Sequence, residues 1–69
     1  MTGREKEIFN IVKELGVAHP RKIGKRMGIS ADYAEQLCRD MVWLKHFVKK
    51  GLSFALTPGA KNLKMYGID

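Results

Sequence analysis

Sixty-nine residues with a net charge of +6 at pH 7 and 45% hydrophobic content describe one small basic domain, near the lower limit of what a single apolar core can hold together. No apolar run approaches the roughly 18 to 20 residues that span a bilayer, and no signal-peptide pattern is present. A lone cysteine cannot close an internal disulfide, so the chain reads as a soluble cytoplasmic protein with no membrane partner.

Taken in order, Thr2 and Glu5 match the S/T-x-x-E capping box, and Ile8, Ile11, Val12 and Leu15 follow at i, i+3, i+4 and i+7. The spacing predicts a helix over 3–15, closed by Gly16, with Phe9 beside the apolar stripe as core padding. Val17 and Ala18 read as a very short extended segment. His19 then stands at an N-cap with Pro20 behind it at the first helical position, where a missing N–H costs nothing. A short second helix over 20–27 buries Ile23 and Met27 and stops at Gly28, which can take the left-handed conformation that ends a helix. Ile29 returns to the core, and Ser30 is a good N-cap for a third helix.

From Ser30 onward Ala34, Leu37, Cys38, Met41 and Leu44 share one arc at 100° per residue, while Asp32, Gln36, Arg39 and Trp43 lie opposite. The third helix is predicted over 30–46. The expected core is Ile8, Ile11, Val12, Leu15, Ile23, Met27, Ile29, Leu37, Met41 and Leu44, with Cys38 an inert buried thiol. Trp43 allows two readings, an exposed interface residue or one covered by later chain.

The segment from His19 to Met41 resembles the helix-turn-helix of winged-helix DNA-binding domains in prokaryotic transcription regulators. The likeness rests on Gly24 in the first helix of the motif, the turn Gly28-Ile29-Ser30, and Ala34, Cys38 and Met41 in the second. It extends over nearly the whole chain. It implies an α+β fold, a three-helix winged helix-turn-helix with a C-terminal β-hairpin wing, in which Val17 and Ala18 pair with the wing as a third strand.

Beyond Leu44 the period changes: Phe47 and Val48 come first, then Leu52, Phe54 and Leu56 alternate with Ser53 and Ala55 as in a half-buried strand. Two layouts fit. In the preferred one Thr57-Pro58-Gly59-Ala60 is a type II turn and Leu63 to Ile68 return as the last strand. In the other, Lys49-Lys50-Gly51 is the hairpin turn and Thr57-Pro58 starts a short C-terminal helix.

The charge is unevenly placed. Residues 19–29 carry Arg21, Lys22, Lys25 and Arg26 with no carboxylate, and residues 41–69 carry five lysines against Asp69. Between them, residues 30–40 set Arg39 against Asp32, Glu35 and Asp40. Two basic blocks flanking a helix suit a polyanion gripped on either side of it.

Within the resemblance, the N-terminal end of the third helix enters the major groove and the second helix crosses the phosphate backbone. Carried over by position, Ala31, Asp32, Tyr33, Glu35 and Gln36 face the base edges. Gln36 can pair bidentately with adenine, and Asp32 or Glu35 can accept from a cytosine amino group. Tyr33 meets a phosphate or a thymine methyl. Arg21, Lys22, Lys25, Arg26, Arg39, Lys49, Lys50 and Lys61 would neutralise phosphates.

The expected role is therefore double-stranded DNA binding by a small transcriptional regulator. The acids of the third helix oppose this unless each has a partner, which supports an alternative, a protein–protein interaction module of a larger assembly. RNA or single-stranded nucleic acid is a third class, with Tyr33, Trp43 and Tyr66 as stacking platforms. A homodimer would place two recognition helices about one DNA turn apart. His19 and His46 lack a neighbouring nucleophile or paired carboxylates, and His19, Cys38 and His46 do not complete a metal set. Neither an enzyme nor a cofactor or metal site is expected.

Overall fold

The computed structural model describes residues 2–59. They form α1 (Gly3–Leu15), β1 (Val17–Ala18), α2 (Pro20–Met27), α3 (Ala31–Trp43), β2 (Phe47–Lys50) and β3 (Ser53–Leu56). The strands make one antiparallel sheet in the order β1-β3-β2. Three helices beside a small sheet whose last two strands form a hairpin is the α+β layout of a winged helix-turn-helix.

Local chemistry explains the helix starts. The Glu5 N–H donates to Thr2 Oγ1 over 3.2 Å and the Thr2 N–H to Glu5 Oε1 over 2.7 Å, completing the capping box. At α2, His19 Nδ1 accepts from the Arg21 N–H over 3.1 Å, so an imidazole performs the capping that a shorter oxygen side chain usually supplies. At α3 the Tyr33 N–H donates to Ser30 Oγ over 3.1 Å.

The turn between α2 and α3 is equally local. Gly28 takes a left-handed φ of 72°, and the Ile29 N–H returns to the Gly24 carbonyl over 3.0 Å. The helices then approach closely at Gly24, which is what a small residue there permits.

The core holds Ile8, Phe9, Ile11 and Val12 of α1, Ile23 and Met27 of α2, and Ala34, Leu37, Cys38 and Met41 of α3. Ala18, Phe47, Phe54 and Leu56 close it from the sheet. Leu15 and Ile29 pack against it while only partly buried. Phe9 meets His46 edge-to-face, ring centroids 6.2 Å apart, which seats α1 against the start of the hairpin.

Three sequence expectations are corrected. The third helix stops at Trp43 rather than at residue 46, because Lys45 adopts a left-handed φ of 66°. The His46 N–H then returns to the Met41 carbonyl and the Lys45 N–H to the Val42 carbonyl, each over 2.9 Å. This is a Schellman closure with lysine where glycine is usual.

As a result Leu44 is turned out, 45% exposed, and leaves the core; Phe47 is buried in the sheet layer instead. The reading of residues 47–56 changes as well: a hairpin lies there, as in the alternative layout, with its turn set slightly later than Lys49-Lys50-Gly51. The hairpin turns at Gly51 and Leu52, with Lys50 opposite Ser53 and Gly51 at φ 64°, the position where a two-residue type II′ loop takes glycine. Leu52 is thereby exposed at the tip, while Ala55, in the polar phase of the alternation, is buried in the central strand between Val17 and Val48. The expected last strand over 63–68, and the alternative C-terminal helix beyond Thr57-Pro58, lie outside the described residues.

Candidate nucleic-acid interface

Pro20 starts α2 so that Arg21, Lys22 and Lys25 fall on its outer side while Ile23, Gly24 and Met27 face inward. Among the described residues these three cations make no ion pair. Together with Ile29 and Ala31 they line one open groove between α2 and the first turn of α3. Unneutralised positive charge beside a helix N-terminus is chemically suited to an anion. The structure thus brings three of the residues expected at phosphates beside the first turn of α3.

Arg26, the fourth cation of α2, is engaged elsewhere. Its guanidinium donates to Glu14 Oε2 of α1 over 3.0 Å, an exposed pair at both ends. Such a pair contributes little to stability, on the order of 0.2 to 1 kcal/mol, but it points the arginine toward α1.

On α3 the acids that oppose DNA binding are accounted for one by one. Glu35 Oε2 takes Arg39 at 2.9 Å, one turn along the same helix. Asp40 Oδ1 accepts from Gln36 Nε2 over 3.1 Å. Asp32 sits in the first turn, where the helix dipole favours a carboxylate.

Gln36 retains its carbonyl oxygen and one N–H, the acceptor and donor that an adenine edge requires. Arg39, expected among the phosphate contacts, is exposed and paired with Glu35 along the same helix. Tyr33 is exposed beside these groups, and Trp43, at 85% exposure, is left uncovered by the hairpin of β2 and β3.

The hairpin supplies Lys49 and Lys50, both exposed at the end of β2. Lys45, which periodicity had placed inside a longer helix, is an exposed cation at the α3–β2 turn; a glycine-free helix end offered no signal for it. Lys61 lies outside the described residues. Cys38 is fully buried on the core side of α3, and burial, with the Glu35 charge adding to it, pushes its thiol up to about 12.

No helix among the described residues is long and apolar enough to cross a membrane. Comparison with protein-family models, with curated proteins and with solved structures finds no match to this chain.

Proposed function

We propose that this chain binds double-stranded DNA as a small transcriptional regulator of the winged-helix type, acting by binding rather than by catalysis. The observation that carries it is the groove shared by Arg21, Lys22, Lys25 and the first turn of α3. Unpaired cations there can take the phosphates on either side of a groove that α3 enters, while Gln36 and Asp32 meet the base edges. Lys49 and Lys50 add phosphate contacts from the hairpin. The pairing of Glu35 with Arg39 offsets one of the carboxylates that α3 would present to a polyanion.

Mobility-shift titrations against random duplex and single-stranded DNA at two salt concentrations test this. Duplex binding that weakens steeply with salt is the expected result. Equal or stronger binding of single strands would favour stacking on Tyr33 and Trp43, and no binding to either would sink the nucleic-acid reading. A protein-interaction module is the second reading, favoured by the exposed Trp43 and Leu44 at the far end of α3.

A further inference from the structure

The outward face of α3 carries a pattern of which base reading uses only Gln36. Gln36, Asp40 and Trp43 follow one another at i, i+4 and i+7, with Arg39 beside them, all exposed. Gln36 and Trp43 are therefore about 10 Å apart along the axis, with Arg39 and Asp40 between them.

A two-fold axis set midway between Arg39 and Asp40 relates each of these residues to its complement. In an antiparallel pair of α3 helices about that axis, Arg39 of one copy stands over Asp40 of the other, twice, and each Trp43 lies over the other copy's Gln36. Lys45, just past the helix end, comes over the acidic first turns of the second helix.

We propose that two copies of this chain associate through this antiparallel α3 contact, and that the pair withholds the base-reading side chains from DNA. A second copy is the occupant that the charges select, because the strip is its own complement under that rotation. A cationic partner would meet Asp40 but be repelled by Arg39, and an anionic one the reverse.

The exchange is inexpensive: Arg39 gives up only an exposed pair with Glu35 within its own helix. The apolar gain comes from Trp43, which is 85% exposed in the single chain and has a large ring to bury at the contact. A one-helix contact belongs to the small class of interfaces, below about 1,200 Å², which suits an association that DNA can displace.

Self-association stands independently of the DNA reading; only the competition rests on it. The chain has one tryptophan, so its emission reports the contact directly. Raising the concentration into the hundreds of micromolar should shift that emission to the blue and bring a dimer into sedimentation runs. Arg39→Asp and Asp40→Arg should each weaken the dimer about tenfold or more, and the two together should restore it. Trp43→Ala, a surface change that leaves the fold intact, should leave only monomer in sedimentation.

A monomer with unshifted emission at these concentrations overturns the proposal, as does a dimer indifferent to both charge reversals. A short duplex with one site should convert dimer into a complex holding one copy. Dimers that remain paired on saturating duplex overturn the competition. Failure of every duplex to bind, with the dimer intact, sinks the DNA reading while leaving the pair standing.

Discussion

The carbonyl oxygen of Ile29 stands 2.8 Å from where a Cβ on Gly24 would be, and the Ile29 N–H donates to the Gly24 carbonyl over 3.0 Å. The turn of the motif thus folds back onto the helix that precedes it, with Ser30 also within 3.3 Å of that missing methyl. Helix propensity alone would have Gly24→Ala stabilise by about 1 kcal/mol. The clash involves backbone that cannot swing aside, so we expect a net loss of about 1 to 3 kcal/mol in denaturant titration. A stabilised variant would mean that α2 and α3 can separate without cost.

Lys45 is the counterpart at the other end of α3. A non-glycine residue at φ 66° carries a left-handed strain of roughly 1 to 2 kcal/mol, while the Schellman bonds hold it there. Lys45→Gly should therefore stabilise the fold by a few tenths to about 1 kcal/mol, a margin reduced by the greater freedom of glycine in the unfolded chain. An unchanged or lowered denaturation midpoint would show that the lysine stem packs usefully on the surface.

For DNA, cations and readers should separate cleanly. Lys22→Ala or Lys25→Ala should weaken all duplexes alike and lower the salt slope by about one unit each. Arg26→Ala should do less, because Glu14 already holds its guanidinium. Gln36→Ala should leave the slope alone and cost about 1 to 3 kcal/mol on the preferred site only. Asp32→Ala should raise affinity for random duplex and relax preference. Binding isotherms over a salt series distinguish these outcomes.

Acid should weaken the start of α1. The hydrogen bond from the Thr2 backbone holds the Glu5 carboxyl below its ordinary value of 4.5, with the Thr2 hydroxyl and nearby positive charges assisting. A group whose folded value is depressed stabilises the fold above its unfolded value, and that contribution is lost as pH falls through the folded one. Helical signal followed from about pH 6 to about pH 3 should therefore drop less in Glu5→Gln than in the parent chain. Identical profiles would show that the box does not respond to protonation.

Alkali should act on Cys38. Between its ordinary value of 9.0 and the folded value of about 12, the unfolded chain releases the thiol proton while the folded chain keeps it. Stability should fall with rising pH across that window. Near neutrality the native thiol should react with a disulfide reagent on the order of 100-fold more slowly than the denatured one, since attack needs an accessible thiolate. Equal rates would place Cys38 outside the core.

What the sequence by itself determined are the features written within three or four residues. Thr2 with Glu5, His19 with Pro20, and Gly28-Ile29-Ser30 mark helix starts and a turn because capping bonds and φ preferences are satisfied by neighbours. The inward faces of all three helices follow from the same short periods.

Only the tertiary structure decided where α3 ends, where the hairpin turns, and which charges are free. Leu44 has core periodicity, yet burying Phe47 beside Phe54 and Leu56 required the chain to reverse at Lys45, a choice that depends on residues ten positions further along. Ala55 is buried because β1 and β2 flank it on both sides, which no alternation within β3 reveals. Arg26 and Lys25 are adjacent and chemically alike, and only the packing of α1 against α2 brings Glu14 to the first and leaves the second without an ion pair. Contacts between distant segments set these outcomes, and local propensity carries no information about them.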